Sequence, residues 1–317
     1  MSRFRWRPRA TVLYRQGMAW FDRSAMISTS ILLALTALLV YGLTQVLAKR
    51  TVGTINSTSM VAVNFLVTLP IYIVFLVATL VLLDAETLEL EYFLYALVGA
   101  STARGGYYLY LEALEKGAVT MVGSITAAYP AITAVLAITV LGEDIKVVNG
   151  LGIVVIIASM IGLSYMHGRS SGEHGFSRSA LVLSMVVLLV WGFGGVFIKL
   201  SLSGIPLIAY LAVYPFILPP IAFAYLRHKR ATREMVFPKW SVPVLAAAAV
   251  AILWQLGYFA ETGAISTGEA AIVFPLVSAY PIVTIVGARL FLHERLTIID
   301  WALLMCVVVG IVLTSVA

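Results

Sequence analysis

Arg104 stands inside an apolar stretch, ASTARGGYYLYLEAL, where a charge needs a reason. At the centre of a membrane helix an arginine costs at least about 2.5–3.5 kcal/mol. Its guanidinium presents a planar fork that pairs bidentately with a carboxylate or phosphate. Arg104, Tyr107, Tyr108 and Leu111 fall at i, i+3, i+4 and i+7, so they share a helix face. Gln255 lies 151 positions on, in ILWQLGYFAETGA, and shares the corresponding face with Tyr258, Phe259 and Thr262. Gly105, Gly106 and Gly257 let a helix or a solute come close. Two polar groups at matched depth predict a cavity for an anionic or zwitterionic solute. The competing reading pairs Arg104 with a structural acid, Glu261 or Glu112.

Other residues extend the candidate set. Tyr129-Pro130 and Tyr280-Pro281 sit mid-stretch, and each proline frees the carbonyl four residues back, at Thr126 and Val277. These pairs predict hinges with tyrosines lining the cavity, a packing kink being the other reading; Pro275 predicts a further break. Asn64 and Trp254 join the solute-binding candidates, Asn64 also suiting an interhelical hydrogen bond and Trp254 core packing; Trp191 offers a ring for stacking. Glu143, Glu294, Lys49 and Lys199 fall at stretch ends. The glutamates suit helix capping or bridging, with proton coupling as the other role. The lysines suit snorkelling to lipid headgroups or gating ion pairs. Glu269 suits a helix N-terminus. There is no P-loop, H-E-x-x-H or G-x-S-x-G pattern and no cluster of metal ligands, so no catalytic role, metal or cofactor is expected.

The elements that position these residues must be membrane helices. Hydrophobic residues make up 61% and charged ones 11%, against about 45–50% and 25% in soluble domains, so a soluble fold could not hide the apolar surface. Apolar runs long enough to cross a bilayer fall at 26–48, 57–83, 92–113, 117–141, 147–167, 178–200, 205–226, 240–264, 269–292 and 298–317. They are too long for barrel strands. The single cysteine, Cys306, excludes an intrachain disulfide. The first run is full length with no A-x-A-like site after it, so no cleaved signal is read. The expected fold is an all-α integral membrane protein of ten transmembrane helices.

The chain repeats itself. YGLTQVLAK near 41 and WGFGGVFIK near 191 each set an aromatic-Gly pair eight residues before a lysine. At an offset of 151, Gly117 matches Gly268, Tyr129-Pro130 matches Tyr280-Pro281 and Glu143 matches Glu294. Five runs per repeat is odd, so the second repeat enters the membrane inverted. Such repeats place solute sites near the midplane.

These motifs resemble the paired EamA-type repeats of the drug/metabolite transporter superfamily: the aromatic-Gly…Lys end of the first helix, the Tyr-Pro of the fourth, and the Gly-Glu after it (Gly142-Glu143, but His293-Glu294). The resemblance covers about 26–317, with repeats at 26–167 and 178–317 and a basic arm at 1–25. It implies a ten-helix carrier in the plasma membrane, moving small polar metabolites, often outward. An amino acid or related small carboxylate is the favoured solute; a sugar, nucleotide-sugar or phosphorylated metabolite is the alternative. A lipid-acting membrane enzyme or a non-transporting scaffold is the reading of another class. With the N-terminus inside, eight basic residues fall inside and twelve outside, which favours the opposite orientation. The first helix, with six positives before it and two after, and the resemblance both place the termini inside. Besides solute and lipid bilayer, a coupling proton or other ion and a homodimer are open as partners; nucleic acid is not expected.

Overall fold

A computed structural model describes residues 23–51, 54–83, 89–116, 122, 125–126, 128–170, 178–280, 282–283, 286–287, 290 and 297–315. Helices account for nearly all of these. In chain order they are α1 Arg23–Thr51, α2 Ser57–Leu82, α3 Leu90–Lys116, α4 Tyr129–Leu136, α5 Val147–Ser170, α6 Arg178–Gly204, α7 Leu207–Leu211, α8 Tyr214–His228, α9 Arg233–Val236, α10 Val242–Thr267, α11 Ala270–Ser278 and α12 Ile298–Ser315.

Among the described residues, five helical stretches are long and apolar enough to cross a bilayer: Thr29–Leu47, Ser57–Leu82, Arg178–Gly204, Leu207–His228 and Val242–Thr267. Shorter apolar helices cover Tyr129–Leu141, Val147–Ser159 and Trp301–Thr314. Their outer faces carry exposed Val74, Leu80, Val81, Val147 and Val154. Only an apolar solvent makes such an exterior favourable. The chain is a multi-pass membrane protein. At 27 residues α3 is about 40 Å long, enough to span. It carries Glu91, Arg104, Glu112 and Lys116, so its sequence is less apolar than its neighbours'.

The halves pack reciprocally. α1 of the first half lies on α10 of the second, and α3 of the first lies on α6 of the second. Between them α2 meets α8, α4 meets α11 and α5 meets α12. First and third helices therefore exchange partners across the halves, while each other helix meets its own counterpart. Small residues permit the close approaches. A Cβ on Gly257 of α10 would come within 2.7 Å of the Tyr41 ring on α1.

Helices break where tyrosine precedes proline. α4 begins at Tyr129 after a turn at Ala128, and α11 ends at a turn through Ala279 and Tyr280. The Val277 carbonyl, orphaned in a continuous helix by Pro281, accepts the Tyr280 N–H at 3.1 Å instead. Pro281 itself lies outside the described residues. Pro275 does not break its helix: α11 runs through it. Just five residues precede it in α11, so its missing N–H costs a single bond near the helix start. After α4 the chain continues as a π-helical turn, Ala137–Leu141, which Gly142 ends at φ +68°, a left-handed conformation that favours glycine. That reversal turns Glu143 back into the bundle.

Candidate functional site

A cavity of about 110 Å³ opens between the halves. From the first half, Tyr41 of α1, Thr102, Ala103, Arg104 and Tyr107 of α3, and Tyr129 of α4 line it. From the second come Trp191, Gly194, Gly195 and Ile198 of α6, Tyr214 of α8, Trp254, Tyr258 and Glu261 of α10, Phe274 and Val277 of α11, and Tyr280. Its walls are mostly aromatic, with two ionisable groups of opposite sign, Arg104 and Glu261.

Arg104 is 5% exposed. Its Nη1 donates to Asn64 Oδ1 at 2.9 Å, and its Nε has no partner. The guanidinium carbon lies 5.8 Å from the Tyr214 ring centroid. Neither acid considered for it is its partner. Glu112 pairs with Lys116 at 2.7 Å and Lys229 at 2.5 Å. Glu261 accepts the Tyr41 hydroxyl at 2.7 Å and makes no ion pair among the described residues. Among the described residues Arg104 is therefore not half of an ion pair with Glu112 or Glu261. A buried cation on the cavity wall is left with neutral partners among the described residues.

The expected faces are only partly those that line it. Arg104 and Tyr107 line the cavity, whereas Tyr108 and Leu111 turn away to pack with Val61 and Ala222. Consecutive residues are about 100° apart on a helix, so a narrow cavity admits Tyr107 or Tyr108 but not both. In α10 the lining stripe is Trp254, Tyr258 and Glu261, one step from the expected Gln255, Tyr258, Phe259 and Thr262. Gln255 is 1% exposed and lies behind the wall, where Tyr72 donates to its Oε1 at 2.5 Å and its Nε2 has no partner. Asn64 anchors Arg104 and lines a small side pocket with Tyr107 and Trp254. Tyr129 and Tyr280 both line the main cavity.

Tyr214 was missed, though a signal existed. Tyr214-Pro215 repeats the dipeptide of Tyr129-Pro130 and Tyr280-Pro281, and it too starts a helix after a turn. Tyr214 stacks on Tyr72 at 4.2 Å and donates to the Tyr258 hydroxyl at 2.6 Å; Tyr210 shares that hydroxyl at 2.6 Å. Tyr41 gave no sign of its place beyond standing in the aromatic-Gly motif.

A second polar cluster joins the halves. Glu143, outside the spans, accepts the N–H groups of Ala270 at 2.9 Å and Ala271 at 2.8 Å, capping α11. Glu269, at the N-cap itself, makes no side-chain cap bond. Lys199 of α6 does not snorkel. Its Nζ donates to the carbonyls of Ile265 at 3.1 Å and Gly268 at 2.5 Å and stands 4.0 Å from Glu143. Burial pushes the Glu143 carboxyl up to about 7, against the pull of Lys199 and the two N–H groups. Glu294 and the Lys49 side chain lie outside the described residues.

Comparisons with known proteins fit this two-part design. An uncharacterized protein of Methanocaldococcus jannaschii, MJ1333.1, is 27% identical over 141 residues, 98% of that protein but 44% of this chain. The matched length is that of one repeat. A crystal structure of another protein superposes with a TM-score of 0.72 at 16% identity, over 90% of this chain and 96% of that one, a likeness of fold. The model of the EamA-like transporter family matches twice, at residues 28–165 and 178–316. Two EamA matches covering nearly the whole chain place this membrane protein in the EamA-like transporter family.

Proposed function

We propose that this protein is a secondary transporter of small polar metabolites, with an amino acid or related small carboxylate as its solute. It works by alternating access of its two inverted five-helix halves around the central cavity, as an exporter or exchanger in the plasma membrane with both termini cytoplasmic. The observation that carries the reading is Arg104, a buried guanidinium on the cavity wall with no carboxylate partner among the described residues. An ion buried without compensation is unfavourable by several kcal/mol. An anionic group on a solute supplies the compensation at the moment of binding, and Arg104 offers it donors in a fixed plane. Both halves contribute to the wall, so rocking one against the other changes access to the cavity. The break at Tyr280 gives the second half a place to bend.

Counterflow in proteoliposomes tests this. Vesicles preloaded with an unlabelled amino-acid mixture are expected to accumulate labelled amino acid with the wild type and not with Arg104→Ala. Equal counterflow by both proteins would remove Arg104 from the site. Absence of counterflow for every carboxylate, together with flux of a neutral sugar, would replace the solute class.

A further inference from the structure

The cavity holds a second ionisable side chain with no counter-charge among the described residues. Glu261 is 7% exposed, lines the same wall, and among the described residues has only the neutral Tyr41 hydroxyl as a partner. Arg104 is in the mirror situation: its partners among the described residues are the neutral side chains of Asn64, Tyr72 and Tyr214. The two do not pair with each other, although both open on one cavity of about 110 Å³. A continuous wall joins them: the Arg104 guanidinium lies over Tyr214, Tyr214 bonds Tyr258, and Tyr258 precedes Glu261 by three residues on α10. Two buried ionisable groups of opposite sign, each with neutral partners among the described residues, are costly to hold charged alone. A solute carrying both complementary charges relieves both at once, whereas a simple anion relieves one and leaves the other.

We infer that Glu261, oriented by Tyr41, receives the cationic nitrogen of a zwitterionic solute whose carboxylate is held by Arg104. The inference rests on the carrier reading above and narrows it. Glu261 sets specificity: it favours amino acids over the acids that lack the amine. The rings of Tyr41, Trp254 and Tyr107, with centroids 4.8 and 5.6 Å apart pairwise, flank this position and add cation–π attraction for the nitrogen.

Trp191 and Trp254 line the cavity, so tryptophan fluorescence and thermal stabilisation of the purified protein both report occupancy. The probes are the twenty standard amino acids and, for each one that binds, the carboxylic acid without the amine and the amine without the carboxylate. The wild type is expected to bind the zwitterion about tenfold or more tighter than either analogue, the scale of one charge-assisted hydrogen bond. Glu261→Gln is expected to bring the zwitterion down to the affinity of its deaminated acid. Deaminated acids binding the wild type as tightly as the zwitterions would overturn the inference and leave the anion carrier standing. An unchanged zwitterion preference in Glu261→Gln would overturn it too. Binding of none of the twenty amino acids would overturn the inference and remove the amino-acid solute of the reading above with it. If Glu261→Gln does not fold, the wild-type analogue series decides alone.

Discussion

The Glu143 carboxylate accepts the backbone N–H of Ala270 at 2.9 Å, so a residue of the first half caps a helix of the second. The N-terminus of α11 needs acceptors for its free N–H groups, and the Ala271 N–H is met by the same carboxylate at 2.8 Å. Because the cap crosses between halves, it works as a latch on their relative position. Glu143→Ala leaves those N–H groups and Lys199 with one acceptor fewer. We expect it to lower thermal stability by about 1–2 kcal/mol, the usual effect of losing a cap, measured by denaturation in detergent. Glu143→Gln, which keeps an acceptor oxygen, should lose less. A stability unchanged in Glu143→Ala would mean that water caps α11 as well as the carboxylate does.

The same latch gives a pH dependence of defined sign. In the latched arrangement burial raises the Glu143 carboxyl to about 7. Once released into water it returns to an ordinary glutamate, about 4.3. The latched form then binds the proton more tightly, so acid favours it. Raising the pH between those two values progressively favours release. The charged groups acting on the carboxyl are Lys199, which opposes this shift, and Glu269, which adds to it. Thiol labelling of Thr267→Cys in a Cys306→Ser background should speed up from pH 5 to pH 8. Adding Glu143→Gln should leave only the intrinsic rise of thiol reactivity with pH. The same slope with glutamine at 143 would assign the dependence to another group.

Sequence reading went furthest where a signal occurred twice. The offset of 151 paired Arg104 with Gln255 and Tyr107 with Tyr258, and Tyr107 and Tyr258 both line the cavity. What it could not fix was helix rotation within about 100°. Gln255 matched Arg104 in register yet turned behind the wall, while Glu261, weighed only as a salt-bridge partner, turned onto it. Apolar residues cover every face of these helices, so no hydrophobic stripe marks which side looks inward. The capping role of Glu143 was legible from its place after a glycine at a span end. Its partner was not, because α11 lies in the other half of the chain and meets it only through the fold.

Gly257 and Gly105 should respond oppositely to alanine. A Cβ on Gly257 meets the Tyr41 ring at 2.7 Å, and that ring carries the hydroxyl bonded to Glu261. Gly257→Ala must displace Tyr41, and overpacking of this kind costs about 1–3 kcal/mol. A Cβ on Gly105 meets nothing within 4 Å. Gly105→Ala should therefore be neutral, or stabilising by up to about 1 kcal/mol through helix propensity. Melting temperatures of the two variants separate the cases. A silent Gly257→Ala would show that α1 can move away from α10 at no cost, contrary to their close packing.

Arg104→Met tests whether the guanidinium is there for the fold or for a solute. Arg104 is a buried cation whose partners among the described residues are neutral. Replacing it with an apolar side chain of similar length leaves Asn64 short of one hydrogen bond, a loss of about 1 kcal/mol. It also removes an ion whose burial without a counter-charge is unfavourable by several kcal/mol. The balance predicts an empty variant more stable than the wild type by about 1 kcal/mol or more, with stabilisation by carboxylate solutes abolished. A structural guanidinium would give the reverse: a loss of several kcal/mol, and undiminished ligand stabilisation in whatever protein remained folded. Denaturation of both proteins, with and without solute, yields the two numbers, and they cannot both move in the predicted direction if Arg104 serves only to hold helices together.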